Sequence, residues 1–207
     1  MALYNVPENL RIVKLELARR FGQLLRRQTS LSHLSQASRM VVHNNEVTSQ
    51  MLNDWKQIDI QNICREIVYS VEQSDLNDYN YKIMLNACKE FEKLIEEDSP
   101  IEAYLEWLDV LVRKCVVYPS LKKKASIRFL ARQFLMLWSS IGSRIIRDMT
   151  IHSASTFGSF HLLRLMFDDY ILYLIEYINM DEYTKDFLHN IPNDSTPRLD
   201  RIGEIFY

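Results

Sequence analysis

A chain of 207 residues with 47% apolar and 25% charged side chains, but only 4 glycines and 5 prolines, has the composition of a globular, almost wholly helical protein in one or at most two domains. Its net charge of -2 argues against a stand-alone nucleic-acid binder, which needs a concentrated basic face; the clusters Arg19-Arg20, Arg26-Arg27 and Lys122-Lys123-Lys124 read as solvated helix faces. No stretch reaches the roughly 18 uninterrupted apolar residues of a membrane span, and Met1 to Asn9 lacks a secretory pattern, so a soluble protein of cytoplasm or nucleus is expected.

Apolar residues recur at helical spacing along most of the chain. Leu10, Val13, Leu17, Phe21 and Leu24 share one stripe, with Arg11, Lys14, Arg20 and Arg27 in other directions, which predicts an amphipathic helix from about Glu8 to Arg27. Thr29 or Ser30 is expected to cap a second helix carrying Leu31, Leu34, Ala37 and Val41 and ending near His43 to Asn45. A third places Val47, Met51 and Trp55 inward, and Ile60, Ile63, Ile67 and Val71 continue the pattern up to a polar loop over Ser74 to Asn80.

Tyr81, Met84, Leu85, Cys88, Phe91, Leu94 and Ile95 then line one face of a long helix. Ser99-Pro100-Ile101-Glu102 reads as a capping box that opens the next, whose apolar face is Ile101, Tyr104, Leu105, Leu108 and Leu111; the two should lie antiparallel. Eight acidic residues between Glu90 and Asp109 read as the solvated side of this pair. Pro119 is expected to close the helix, and Leu121 to Arg147 to form another with Leu130, Phe134, Leu137, Trp138, Ile141 and Ile145 inward. Gly142 within it costs about 1 kcal/mol against alanine, which suggests the close approach of a neighbouring backbone.

The most informative segment comes late. Ser155 is expected to cap a helix in which Ser155, Ser159 and Leu162 share a small-residue face beside Gly158. Phe160, Leu163, Phe167, Ile171 and Leu174 point one way, while Leu162, Leu165, Met166, Tyr170 and Tyr173 spread over the rest. A helix apolar nearly all round must be covered on more than one side. The expectation is one face for the core and one for a second copy of the chain, with burial inside a single chain as the alternative. The candidate dimer interface is Phe157, Gly158, Ser159, Phe160, Leu163, Phe167, Tyr170, Ile171 and Leu174.

Catalytic patterns are not found. The histidines His33, His43, His152, His161 and His189 show no metal-ligand spacing with one another or with cysteine, and His161 reads as an interior residue. Glycine-rich phosphate loops and nucleophile elbows are missing. Asp168 and Asp169 are adjacent, so on a helix they point about 100 degrees apart and cannot easily share a ligand. Cys64, Cys88 and Cys115 are odd in number and lie among apolar neighbours, as free thiols of a reducing compartment do. Neither an enzyme, a cofactor, a metal nor a small-molecule substrate is expected.

Three blocks carry a family resemblance. Arg147-Asp148-Met149-Thr150 through Phe157-Gly158-Ser159-Phe160-His161-Leu162 to Asp168-Asp169-Tyr170 and Glu176 resembles the dimerisation region of the RFX (regulatory factor X) transcription factors. Arg27-Gln28-Thr29-Ser30-Leu31 with His33-Leu34, Gln36 and Arg39, and Pro100-Ile101-Glu102 with Tyr104 and Glu106-Trp107-Leu108-Asp109, are similar to two earlier regions of the same family, in the same order. The resemblance implies a nuclear protein that pairs with itself or with related RFX proteins and whose complete form binds promoter X-box DNA through a winged helix. No segment here resembles that winged helix, so no DNA-contacting residue is implied, and either a piece of a longer factor or an isoform without its reader is expected. An all-α multi-helix bundle follows, with residues 1–178 as the dimerisation and regulatory module, the long C-terminal helix as its interface, and 179–207 as a loosely attached tail. The competing reading is a monomeric helical adaptor that recruits partners through an apolar groove.

Overall fold

The computed structural model describes residues 7–71, 77–123 and 126–189. Among them the chain forms only helices: α1 (Glu8–Val42), α2 (Asn45–Lys56), α3 (Ile60–Val71), α4 (Asn77–Glu96), α5 (Ile101–Val112), a π-helical turn (Arg113–Val117), α6 (Tyr118–Lys123), α7 (Ile127–Ile151) and α8 (Phe157–His189). The expected all-α multi-helix fold is present.

The stripes read from the sequence turn inward along the middle of the chain. Met51 and Trp55 of α2, Ile63 of α3, Met84, Phe91 and Ile95 of α4, Tyr104, Leu108 and Leu111 of α5 and Leu130, Phe134, Leu137, Ile141 and Ile145 of α7 are all buried in one contiguous core or at its edge. Phe91 is its hub. Its ring lies 4.9 Å from Trp55, 5.6 Å from Trp107, 5.9 Å from Phe167 and 6.0 Å from Tyr104, centroid to centroid, mostly edge to face or tilted, as aromatic quadrupoles prefer. Helices α4 and α5 turn back on each other as expected, with Glu90 paired to Lys114 at 3.7 Å. The acidic stretch is further neutralised by Arg113 on Asp109 at 2.8 Å and Lys93 on Glu97 at 3.4 Å.

Several local readings are revised. The first two expected helices are one: α1 runs through Thr29 and Ser30 without a break. Their hydroxyls find partners other than a cap, since Thr29 Oγ1 donates back to the Leu25 carbonyl at 2.9 Å and Ser30 Oγ donates to Asp169 of α8 at 2.7 Å. A polar side chain with a tertiary partner does not compete with its own helix. Asn44 supplies the cap of α2, accepting from the amides of Glu46 and Val47. The loop expected over Ser74 to Asn80 is already helical from Asn77, and 74–76 lie outside the described residues.

The capping box at Ser99 is absent. Pro100 holds the cap position of α5 without a side-chain hydrogen bond, and Glu102 reaches Arg39 of α1 at 2.5 Å instead. Pro119 does not stop the chain, because the π turn comes first: the Tyr118 amide bonds to the Arg113 carbonyl, five residues back. On that pattern proline would leave the Lys114 carbonyl without an amide donor, and the Tyr79 hydroxyl donates to that carbonyl instead at 3.4 Å. Helix α7 accordingly begins at Ile127, after a separate α6, and continues to Ile151. At Gly142 the close neighbour is a side chain, not a backbone: a Cβ there would lie 2.0 Å from Arg164 Nη1.

Two helix ends use left-handed residues other than glycine. Asp98 (φ 47) and Ser153 (φ 52) allow the amides of Ser99 and Ala154 to reach back to the carbonyls of Leu94 (3.0 Å) and Met149 (2.9 Å), five residues earlier, which is the Schellman closure. Asp98 recovers part of the cost through Thr48, whose hydroxyl donates to it at 2.7 Å.

Candidate association helices

Helix α8 is anchored at its start from outside. Thr156, not Ser155, immediately precedes it, and Asp54 of α2 accepts both the Thr156 amide (3.0 Å) and its hydroxyl (2.6 Å). Burial alone would raise the Asp54 carboxyl, but these hydrogen bonds, with others from Gln50 and Ser155, hold it below the usual aspartate range. Further along, the neighbouring carboxylates diverge as the helical angle demands. Asp168 accepts Trp138 Nε1 of α7 at 2.6 Å and Arg164 Nε at 3.4 Å, while Asp169 faces α1 through Ser30.

The residues proposed from the sequence for the dimer interface divide into two groups. Phe160, Leu163, Phe167, Ile171 and Leu174 are buried within the chain's own core, with Ile171 at 0% exposure. Phe160 stacks on Trp55 at 5.9 Å, and Phe167 stacks on Tyr104 at 6.1 Å and meets Trp107 edge-on at 5.6 Å. Met166, on the other side in the sequence reading, is also buried. The second direction of this helix is covered only in part, since Leu165 is exposed and Leu162, Tyr170 and Tyr173 keep some surface although α1, α2, α5 and α7 all pack on the helix. Phe157, Ser159 and Tyr170 keep part of their surface, Gly158 is exposed, and nothing lies within 4 Å of where its Cβ would be. His161 is exposed and stacks on Phe157 at 5.8 Å, so it is not an interior residue.

Uncovered apolar surface appears where the sequence reading had placed an ordinary amphipathic helix. In the first half of α1, Leu10, Ile12, Val13, Leu15, Leu17, Phe21, Leu24 and Leu25 are all exposed, Leu17 at 66% and Phe21 at 61%. Ties to α8 follow just beyond that half. Arg27 pairs with Glu176 at 2.6 Å and Ser30 with Asp169, so α1 and α8 run antiparallel. On α8, exposed Leu165, Leu172 and Met180 alternate with those two acceptors at spacings of three and four residues, which puts them on the α8 face that borders α1. The sequence signal for this face was present, in the apolar residues Ile12, Leu15 and Leu25 lying off the main stripe. Along the same stretch Glu16 is held at about 2 by hydrogen bonds from Arg19 and Arg20, so this carboxylate keeps its two arginine partners in all but strong acid.

No group of three or more His, Cys, Asp or Glu side chains among the described residues could hold a metal ion, and no described helix is long and apolar enough to cross a membrane. The arrangement is that of an all-helical bundle presenting helix surface. The sequence pattern described as the RFX BCD domain matches residues 1–182, and the chain belongs to the RFX family. It is similar to the mouse protein described as "Transcription factor RFX4", 48% identical over 95% of this chain and 26% of that one. It is also similar to the Xenopus tropicalis "Transcription factor RFX3", at 35% over 85% and 22%, and to the human "DNA-binding protein RFX6", at 33% over 84% and 19%. The chain thus spans about a quarter of the length of these relatives. No solved structure matches.

Proposed function

We propose that this chain is the dimerisation and regulatory module of an RFX-family transcription factor acting in the nucleus, and that two copies, or one copy and a related RFX chain, associate through the α1–α8 pair. The observation that carries this reading is the run of eight exposed large apolar side chains on the first half of α1. Soluble monomers rarely expose contiguous apolar surface on that scale. A second antiparallel helix pair laid across it would complete a four-helix bundle, and a two-fold axis would use the same patch on both chains. Of the interface residues expected from the sequence, Phe157, Gly158, Ser159 and Tyr170 keep surface a partner can reach, whereas the five core residues have none to give. The DNA contacts of the complete factor would lie outside the residues described here.

Size-exclusion chromatography with light scattering at micromolar concentration tests the proposal. A mass of two chains is expected. A mass of one chain would instead favour an adaptor whose exposed helices take up unrelated partners.

A further inference from the structure

Side chains of α2, α4, α5, α7 and α8 surround an apolar cavity of about 80 Å³ in the middle of the bundle. Trp55, Phe91, Ile145 and Phe167 are buried and form its inner wall, while Trp107, Trp138 and Arg164 keep some surface and form its rim. Arg164 can lie across α7 there because Gly142 has no side chain, and a Cβ would sit 2.0 Å from its Nη1. The other guanidinium nitrogens are engaged. Nη2 donates to the Ser139 carbonyl at 3.2 Å and to Ser143 Oγ at 3.4 Å, and Nε donates to Asp168 at 3.4 Å. Nη1 is buried with no partner among the described residues, and so is Trp107 Nε1. Trp138 Nε1, by contrast, already donates to Asp168.

An unpaired buried donor is costly, and two on residues of one cavity call for acceptors. No side chain lining the cavity carries an oxygen, so a water molecule that accepted from these donors would find no side-chain oxygen for its own O–H groups. A carboxylate is acceptor-only, and its charge suits the guanidinium. At roughly 30 Å³ for each water-sized group, the cavity takes about three such groups behind that head.

We propose that this cavity is a binding site for a short-chain monocarboxylate of about four carbons. The alkyl chain lies against Trp55, Phe91 and Phe167, and the carboxylate at the rim accepts from Arg164 Nη1 and Trp107 Nε1. Seating the charged head where the wall keeps some contact with solvent limits the cost of desolvating it. The ligand then ties α5 to α8 and, by binding only the folded chain, raises its stability with concentration.

The test is a titration of the whole isotope-labelled chain with sodium butyrate, followed through the assigned tryptophan indole N–H resonances. The Trp107 resonance is expected to move saturably with a dissociation constant of about 1 mM or tighter, within the ceiling for so small a ligand, and the melting temperature should rise with butyrate. Arg164→Gln should weaken binding by about tenfold or more, and Gly142→Ala, which drives the guanidinium from its seat, should weaken it as well. Methyl propyl ketone, with the same alkyl chain and no charge, should bind at least about tenfold more weakly. The wild-type titrations need no variant to fold. A Trp107 resonance that stays in place up to about 10 mM butyrate, or that sodium chloride moves equally, would overturn the proposal. So would an affinity that the ketone matches or that folded Arg164→Gln retains.

Discussion

Charging the exposed half of α1 separates association from folding. Leu17 and Phe21 are 66% and 61% exposed in the single chain. Full burial of such a side chain contributes about 1.5–3 kcal/mol, so covering the remaining surface is worth roughly 1–2 kcal/mol for each. In a two-fold dimer every residue counts twice, and a Leu17→Glu, Phe21→Glu double variant removes on the order of 4–8 kcal/mol of association energy before any cost of burying charge. At 1.4 kcal/mol per tenfold, this weakens the dissociation constant by roughly a thousandfold or more. Light scattering at micromolar concentration should then report single chains for the variant and pairs for the wild type. Circular dichroism of the variant should keep the native helix signal, because neither side chain belongs to the core. A double variant that retains the mass of two chains would refute the assignment of this face, and one that loses its helix signal would refute the separation of the arm from the core.

Other substitutions read out different parts of the structure. Leu163→Ala opens a cavity beneath α8 and should cost about 3–4 kcal/mol, seen as a lower urea midpoint; an unchanged midpoint with altered mass would return this residue to an interface. Asp54→Ala strips the acceptor from two buried Thr156 donors and should cost about 2–3 kcal/mol at neutral pH. Since the folded carboxyl sits below its ordinary value, its stabilisation is present above about pH 3.9 and is lost as pH falls through the folded value. Urea titrations of wild type and variant should therefore converge in acid, and a constant gap would contradict the hydrogen bonding seen at Thr156. Ser153→Gly relieves a left-handed backbone at φ 52 and should stabilise by about 0.5–1 kcal/mol, visible as a rise in melting temperature; a fall would show that Ser153 makes compensating contacts.

The parts of this fold that could be read from the sequence are those where burial leaves a single stripe. Met51 and Trp55, Met84 with Phe91 and Ile95, and Leu130 through Ile145 repeat at helical spacing because one side of each helix meets the core. Reading failed where the deciding partner lay far along the chain. Ser30 looked like a cap, and nothing local shows that its hydroxyl is taken by Asp169, 139 residues away. The same limit hid part of the uncovered surface. A helix apolar all round needs cover, but the sequence cannot say whether the cover is a second chain or α1, α2, α5 and α7 of the same one. Once those elements enclose Phe160, Leu163 and Ile171, the surface left open is shared between α8, at Leu165 and Leu172, and α1, whose apolar stripe had been taken for ordinary amphipathic packing. At Pro119 the surprise is geometric: a wide turn and one tyrosine hydroxyl let the helical path pass a residue that normally stops it.

The unbroken run of α1 has a mechanical consequence. Thirty-five helical residues make a rod of about 52 Å, buried at its Ser38 and Val42 end, tied to α8 at Ser30 and Arg27, and lined with exposed apolar side chains beyond. Tilting the rod by about 5 degrees at Arg27 would swing the Glu8 tip, roughly 28 Å farther along, by roughly 2.5 Å. Small repacking around the inner end is thus amplified into a displacement comparable to a side chain's reach, and whatever grasps the tip can pull on the interior in return.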